Sequence, residues 1–364
     1  MKDNTRGLNK RGLPAVRTIA VFRALQLGDL LCSVPAFRSL RAAYPTAHIA
    51  LIGLPWAKTF VSRFSAYLDE WIAFPGFPGL PEKDPDCGAL PDFLRAMQRR
   101  QVDLLIQMHG NGTLINPLIA CMKAQTMAGY TSAGAYCPDW SSFMPYPDHL
   151  PEVRRHLALL EFLAVPRQGE DLEFPLWAQD FTAADRIFSA FGLSPQSYVC
   201  LHPGGRGTAR RWPPERFALA ADHLAALGLR IAITGTRDEQ PIVQAVLRHM
   251  NGSAIDLSGQ TDLGAMGALL SRSAGLVAND TGVSHLAAAL RIPSVILSVG
   301  SDPHRWSPLD RALHRVLAGE QLTTDSALEE IDCLFSRDRR EIRPVIHASP
   351  VAHSPSTDWL GRRL

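Results

Sequence analysis

Residues 198–224, YVCLHPGGRGTARRWPPERFALAADHL, decide the fold class of this chain. A short β-rich run (198–202) leads into a glycine-rich loop, and a helix begins after Pro213-Pro214. Apolar residues then recur at helical spacing, at Phe217, Ala220, Leu224 and Leu227. A short apolar strand followed by a loop and an amphipathic helix is the repeating unit of a parallel sheet with helices on both faces. The stretch therefore predicts a βα unit of an α/β protein.

The same pattern recurs in both halves of the chain. The predicted strands are residues 18–22, 48–53, 102–107, 198–202, 229–234, 275–279 and 293–298. Two such blocks, joined within 165–197, predict two doubly wound Rossmann-like domains. We place the N-terminal domain at 17–180 and the C-terminal domain at 181–335, between basic tails at 1–16 and 336–364.

Length and composition narrow the class of protein. The 364 residues are 46% hydrophobic and 20% charged, which suits two folded cores and excludes wholesale disorder. No run of about 18 apolar residues predicts a membrane span, and the basic start leads into no secretory signal. The six cysteines form no CxxC pair, as expected for a reducing compartment. We expect a cytoplasmic protein.

Charge is distributed unevenly along the chain. Residues 1–17 carry a net charge of +4 and residues 336–364 carry +3, so the total of +2 leaves −5 for the body. A mildly acidic body argues against nucleic acid as a partner, because nucleic-acid binders carry their positive charge on a folded face. The basic ends suit peripheral contact with anionic lipid at the inner face of the cytoplasmic membrane. They equally suit a purely solubilising role, and the sequence leaves both open.

The loop after the 198–202 strand is the strongest candidate ligand site, because ligands of doubly wound sheets bind beyond the carboxyl ends of strands. Gly204 and Gly205 allow close backbone approach, and Arg210 and Arg211 lie just before a helix. Glycine-rich backbone and guanidinium groups favour a phosphate. The alternative is a surface loop with solvated arginines. Walker A and GxGxxG motifs are absent from the sequence.

A second loop, NDTGVSHLAAAL (279–290), follows the 275–279 strand. Asp280, Thr281 and Gly282 occupy its strand-to-helix turn, where backbone amides and the helix dipole suit an anion. Asp280 or Thr281 could instead serve only as an N-cap. His285, on the first turn of the helix, is either a ligand contact or a packed core histidine.

The first domain offers Gly28 and Asp29, in RALQLGDLLCSVPAF (23–37), after its first strand. Asp29 is a candidate acid–base group, and its alternative role is the N-cap of one helix that begins near Leu30 and continues past Phe37. His109 and Asn111 follow the 102–107 strand, as a proton carrier or as polar loop residues.

The Pro/Gly-rich segment 74–91 predicts a long loop over the ligand edge of the first domain. We find no metal-ligand spacing in the sequence and expect no metal.

Taken together, these motifs resemble glycosyltransferase family 9, the ADP-heptose:lipopolysaccharide heptosyltransferases. The matching stretches are residues 27–45, 102–111, 201–224 and 276–306. The resemblance implies a GT-B fold of two Rossmann-like domains facing across a cleft. It also implies an ADP-sugar donor in the C-terminal domain, a lipopolysaccharide-core or other glycan acceptor in the N-terminal domain, inversion at the anomeric carbon, and no cofactor.

The resemblance assigns roles by position. Asp29 matches the family's general base, Arg210 a diphosphate contact, and Glu239 an acid near the nucleoside. The D-[TS]-G-x-x-H donor motif corresponds to Asp280, Thr281, Gly282 and His285.

Two departures accompany this resemblance. Family members often have Ser or Thr where this chain has Gly204-Gly205, and residues 74–91 and 130–150 match nothing, which leaves the acceptor open. Two alternatives to a transferase also stay open: a GT-B-shaped sugar-nucleotide epimerase, and a catalytically silent nucleotide-binding partner in envelope assembly.

Overall fold

The computed structural model describes residues 16–336 and divides the chain into two compact units, with the boundary between Asp171 and Leu172. The boundary predicted from sequence lies nine residues later, so all of the helix at Ala178–Phe191 belongs to the second unit. The two predicted basic tails lie, apart from their innermost residues, outside the described residues.

Within residues 16–171 the first unit forms a parallel sheet of six strands in the order β3-β2-β1-β4-β5-β6. Its strands are β1 (Thr18–Phe22), β2 (His48–Gly53), β3 (Glu70–Ala73), β4 (Leu104–Gln107), β5 (Thr126–Thr131) and β6 (Phe143–Pro145). Its helices are α1 (Leu27–Leu31), α2 (Val34–Ala43), α3 (Ala57–Arg63), α4 (Leu90–Arg100), α5 (Ile115–Ala120) and α6 (Glu152–Phe162). The central strands β1 and β4 are buried almost throughout, as a parallel sheet covered on both faces requires.

The predicted single helix after β1 is wrong, because the structure has two helices there. α1 ends at Leu31 and α2 begins at Val34, with Pro35 as its second residue. A proline inside a continuous helix lacks an N–H and its ring clashes with the carbonyl four residues earlier, here that of Leu31. The chain therefore stops one helix and starts another, and Asp29 is confined to the short α1.

The second unit repeats this architecture within residues 172–336. Its sheet is also parallel, in the order β9-β8-β7-β10-β11-β12. Its strands are β7 (Tyr198–His202), β8 (Arg230–Ile233), β9 (Ile255–Asp256), β10 (Gly275–Asn279), β11 (Ser294–Ser298) and β12 (His314–Ala318). Its helices are α7 (Ala178–Phe191), α8 (Pro214–Ala226), α9 (Gln240–His249), α10 (Leu263–Ser271), α11 (Gly282–Ala289), α12 (Pro303–Trp306) and α13 (Thr324–Phe335).

Both sheets therefore have the doubly wound strand order of the Rossmann fold, which confirms the predicted fold class. Strand order reverses between β1 and β4 in the first unit and between β7 and β10 in the second. Ligands of such sheets bind at this reversal, beyond the carboxyl ends of the strands. Among the described residues, no helix is long and apolar enough to cross a membrane.

Candidate functional site

Asp29 lies at the strand reversal of the first unit, as the third residue of α1. Gln26 occupies the N-cap position of this helix, so the alternative of Asp29 as an N-cap is wrong. The Asp29 side chain is 22% exposed, and its backbone carbonyl accepts a hydrogen bond from Ser33 Oγ at 2.9 Å. The neighbouring Gly28 is buried within the same helix. A partly exposed carboxylate thus sits at the ligand edge on a short, well-held turn.

Arg23, which follows β1 directly, connects Asp29 to the β4 side of this edge. Its side chain is completely buried. Its Nε and Nη2 donate to the Asp29 carbonyl at 3.0 and 2.8 Å, and its Nη1 donates to the Met108 carbonyl. Nη2 also lies 3.8 Å from Asp29 Oδ1. One guanidinium therefore holds the loops after β1 and β4 together.

Behind Arg23 lies a buried polar cluster on α6. Glu152 Oε1 accepts from Arg23 Nη2 at 3.0 Å, and Glu152 Oε2 accepts from Arg155 Nη1 at 2.7 Å. His156 Nε2 lies 3.2 Å from Glu152 Oε1. Burial and the Arg23 charge lower the pKa of His156 to about 4, although Glu152 opposes the shift, so this ring is neutral. No local signal in the sequence indicates this cluster, because Arg23 and Glu152 are 129 residues apart.

His109 occupies the same edge after β4. Its Nδ1 accepts a hydrogen bond from the Ala24 backbone N–H at 3.3 Å, which places the ring hydrogen on Nε2. Burial and the Arg23 charge lower its pKa to about 3. His109 is therefore a neutral N–H donor whose basic nitrogen is already engaged. Its Nε2 lies 3.9 Å from Glu82 Oε2, so the loop that contains Glu82 lies over this edge as predicted.

Asn111 is exposed, and its Oδ1 accepts from the Thr113 N–H at 3.1 Å in a local turn.

The first unit also holds a pocket of about 440 Å³ near β3 and α4. Apolar side chains line it, including Ile72, Phe74, Phe93 and Met97, with Lys83 and Arg100 among its charged lining residues. None of the predicted site residues is among the residues that line it.

In the second unit, the two glycines after β7 pack between side chains from two other loops. A Cβ on Gly204 would lie 2.3 Å from Glu239 Cδ, and one on Gly205 would lie 3.1 Å from Thr281 Cγ2. The Gly205 N–H donates to Glu239 Oε1 at 2.8 Å. The structure thus brings four predicted donor-side residues together at the β7–β10 reversal, and only glycine fits at 204 while Glu239 keeps this position.

Asn279, the last residue of β10, joins the two predicted donor loops. Its buried Nδ2 donates to the carbonyls of Pro203 and Gly204 at 2.8 and 2.9 Å. Its Oδ1 accepts from the Trp212 N–H at 2.9 Å. Asn279 belongs to a predicted loop, but no role was predicted for it. A buried strand ending in a polar amide was the available signal, since such a group needs partners.

Glu239 is held by bonds on both carboxylate oxygens. Besides Gly205, the N–H and Oγ1 of Thr236 donate to Oε2 at 2.8 and 3.1 Å, and His202 Nε2 lies 3.7 Å away. Burial raises the pKa of the Glu239 carboxyl, but His202 and these hydrogen bonds outweigh it, so that pKa lies below its usual value. For His202, by contrast, burial lowers the pKa of the ring, although the Glu239 charge opposes this shift.

The loop after β10 is tied to the loop after β11. Ser301 Oγ donates to Asp280 Oδ2 at 2.5 Å and also contacts Ser298 Oγ at 2.6 Å. Thr281 occupies the N-cap position of α11, yet within residues 16–336 its Oγ1 makes no hydrogen bond. Gly282 begins the helix, and His285 is buried on it with its ring centre 6.3 Å from that of Trp306.

The two predicted arginines differ in their surroundings. Arg211 Nε donates to the Gly205 carbonyl at 2.8 Å, so this side chain folds back onto the glycine loop. Arg210 is exposed at the end of a 3-10 turn (Thr208–Arg210), and within the described part of the chain its guanidinium has no hydrogen bond or ion pair. Arg210 is therefore available to a ligand, whereas Arg211 supports the loop.

Comparison with known proteins shows the family to which this chain belongs. The sequence profile of "Glycosyltransferase family 9 (heptosyltransferase)" matches residues 92–332. The chain belongs to glycosyltransferase family 9. This family 9 enzyme is 25% identical over 343 residues to lipopolysaccharide heptosyltransferase 2 of Salmonella typhimurium, covering 86% of this chain and 97% of that protein. It is 24% identical over 354 residues to lipopolysaccharide heptosyltransferase 2 of Escherichia coli K12, with the same coverage.

Solved structures of the family have the same fold. A family 9 glycosyltransferase from Veillonella parvula superposes with a TM-score of 0.71 at 24% identity, covering 88% of this chain and 89% of that one. The E. coli ADP-heptose heptosyltransferase II superposes with a TM-score of 0.67 at 23% identity, covering 87% and 98%. The protein is thus a glycosyltransferase with two Rossmann-like units of the GT-B class.

Proposed function

We propose that this glycosyltransferase moves a heptose, or a closely related sugar, from an ADP-sugar to a lipopolysaccharide-core-type glycan, with inversion at the anomeric carbon. The observation that carries the proposal is the joined pair of loops at the β7–β10 reversal, where Asn279 bonds one loop to the other. The names of the relatives, lipopolysaccharide heptosyltransferase 2, support the choice of sugar and acceptor.

The second unit is the donor site in this proposal. Arg210, exposed and without a protein partner in residues 16–336, would bind the diphosphate. The first N–H groups of α11, at Gly282 and Val283, have no partner within the helix and suit the same anion. Thr281, whose Cγ2 packs near Gly205, adds an Oγ1 that has no hydrogen bond within residues 16–336. Glu239 retains lone pairs for a nucleoside hydroxyl while it holds the glycine loop.

The first unit supplies the base. An acceptor hydroxyl is a poor nucleophile until a carboxylate accepts its proton, and Asp29 is a partly exposed carboxylate at the ligand edge. The hydroxyl oxygen forms a bond to the anomeric carbon while the bond from that carbon to the phosphate oxygen breaks. The proton passes to Asp29, and the electron pair leaves with ADP. Arg210 and the α11 amides would stabilise the charge that develops on the β-phosphate.

His109 is a poor alternative to Asp29 as the base. Its pKa of about 3 and the bond from the Ala24 N–H to Nδ1 leave no basic nitrogen at neutral pH. Its Nε2–H is suited instead to donate a hydrogen bond to an oxygen of the glycan acceptor.

A mass-spectrometric screen tests the function. Purified protein is incubated with a panel of nucleotide sugars, with and without truncated lipopolysaccharide cores as acceptors. We expect transfer from ADP-heptose only when an acceptor is present, together with release of ADP. Conversion of the donor without an acceptor would favour the epimerase alternative, and nucleotide binding without transfer to any acceptor would favour the silent partner.

We further propose that the enzyme works in the cytoplasm, at the inner face of the membrane, through its basic tails. Deletion of residues 1–14 and 344–364 should weaken binding to anionic vesicles and preserve turnover of a soluble acceptor. The lost binding should be salt-sensitive, because ions screen such charges over about 8 Å at physiological ionic strength. Unchanged vesicle binding would leave the tails as solubilising ends.

A further inference from the structure

We infer that Arg23 is a positioning residue for sugar transfer, which acts by fixing the Asp29 carboxylate at the ligand edge. This inference rests on the proposed role of Asp29 as the base. Arg23 is completely buried, whereas Asp29 is partly exposed, so Arg23 acts on the reaction through Asp29.

The contacts that Arg23 makes with the short helix α1 point to this role. α1 has only five residues, too few for a helix to hold its own conformation in water. Arg23 supplies the missing restraint, because Nε and Nη2 grip the Asp29 carbonyl from one side while Nη1 binds the Met108 carbonyl after β4. The same plane places Nη2 3.8 Å from Asp29 Oδ1. One rigid group therefore hydrogen-bonds the Asp29 backbone and lies at ion-pair distance from its carboxylate.

The balance of charges around Arg23 points to the same role. Arg23 and Arg155 are both buried, and Glu152 is the buried carboxylate that both of them contact. His156 beside them is neutral. Among the described residues this cluster thus has two cations and one carboxylate, and Asp29, at the solvent side, is a second carboxylate within 4 Å of Arg23. A buried cation is costly without a partner, so the charge balance of the cluster favours keeping the Asp29 carboxylate near Arg23.

Arginine is specifically required by this arrangement. The guanidinium donates in three directions at once, to Asp29, Met108 and Glu152. A lysine ammonium keeps the charge but is a compact point donor on a flexible stem, and it does not reproduce a planar fork. Arg23→Lys should therefore loosen Asp29 while leaving the buried charge in place.

The test is a double-mutant cycle with a matched control. Arg23→Lys and Arg155→Lys are each made with Asp29 intact and in the Asp29→Asn background. Arg155 is equally buried in the same cluster, but its bonds go to Glu152, Tyr146 and carbonyls of the 147–150 loop. Transfer from ADP-heptose to a truncated lipopolysaccharide core gives kcat and both KM values, and urea unfolding gives stability.

We expect Arg23→Lys to lower kcat at least tenfold with the KM for ADP-heptose unchanged, and Arg155→Lys to keep kcat within about twofold. In the Asp29→Asn background, Arg23→Lys should lower kcat by less than twofold further, because its effect passes through the missing carboxylate. Equal losses in both backgrounds, or equal losses from the two lysine variants, would overturn the inference and reduce Arg23 to a structural residue.

Two further readouts keep the outcomes separate. An Asp29→Asn enzyme with the parental kcat would refute the proposed base itself, whatever Arg23 does. Should Arg23→Lys fail to fold, Glu152→Gln removes the charge that orients Arg23 Nη2 while keeping the side-chain shape. That variant should lower kcat severalfold with Asp29 present and leave it unchanged in the Asp29→Asn background; additive losses would again overturn the inference.

Discussion

The ligand edges of the two units share one strand order but are built from different materials. In the first unit the edge is organised by charged side chains, with buried Arg23 and Glu152 behind a partly exposed Asp29. In the second unit it is organised largely by backbone groups, because Asn279 and Glu239 bond to the backbone of the loop that carries Gly204 and Gly205. Arg210 and Arg211 lie on that loop itself, and Glu239 is a charged group that holds it from another loop.

This difference matches the two tasks that we propose. A proton-accepting side chain must be kept in one position, and a buried guanidinium that bonds to several oxygen atoms can hold it there. A diphosphate site must instead present several donors to a large anion, and here the first amides of α11 and the exposed Arg210 are open to it. The same topology thus serves two chemistries because the residues after equivalent strands differ.

Substitution of Asp29 is the strongest test of the difference between the two ligand edges. Asp29→Asn and Asp29→Ala should each lower the rate of sugar transfer by about 10²–10⁴-fold, because proton acceptance is lost. Affinity for ADP-sugar should be unchanged, since the proposed donor contacts lie in the second unit. Steady-state kinetics and calorimetry measure both. Asparagine is the informative variant, and near-parental transfer by it would mean that the first unit supplies no base through Asp29.

Arg210 tests the opposite edge. Arg210→Ala should weaken ADP binding by about 1.5–3 kcal/mol, the range for a hydrogen bond to a charged group. Arg210→Lys should recover only part of this, because a point charge replaces a planar fork. Arg248, exposed near the end of α9 away from the ligand edge, provides the control and its alanine variant should bind ADP normally. Calorimetry that finds equal affinities for the Arg210 and Arg248 alanine variants would exclude the diphosphate role.

Substitution of Gly204 tests how tightly the ligand edge of the second unit is packed. Gly204→Ala should destabilise the protein by about 1–3 kcal/mol, because the new Cβ overlaps the Glu239 carboxyl. Truncation of that carboxyl in Glu239→Ala makes room, so the double variant should lose less stability than the sum of the two single losses. Urea unfolding measures all three variants. Strictly additive losses would show that the glycine is not required by Glu239.

His109 gives the smallest expected effect, through pH. Its pKa is about 3 in the folded protein against an ordinary 6.5, so the unfolded chain takes up the proton first as pH falls. Its contribution to stability is complete above pH 6.5 and is lost as pH falls towards 3, by up to about 2 kcal/mol between pH 6.5 and 5. Urea unfolding of His109→Gln at pH 7 and pH 5 should therefore show a smaller loss than the parent. An unchanged difference would mean that the ring is not held neutral.

The local features of this protein follow from its sequence. The four strands at 18–22, 48–53, 198–202 and 275–279 are where the apolar runs predict them, and α8 begins at Pro214, within one residue of the prediction. The loops with Asp29, His109, Gly204 and Asp280 follow strands, because strand ends are marked by local glycine and polar residues. The strands β3, β5, β6, β9 and β12 were not predicted. Of these, β6 and β9 have only three and two residues, which leaves no measurable periodicity.

The connections at each ligand edge were decided by tertiary structure. Arg23 meets Glu152, Gly205 meets Glu239, and Asn279 meets Trp212 across 129, 34 and 67 residues. Periodicity and propensity describe neighbours in the chain, whereas these pairs depend on which strands lie side by side in the sheet. The sequence therefore determined which loops carry the proposed site residues, and the strand order determined which of their side chains touch, because only the assembled parallel sheet brings the ends of separate strands to one edge.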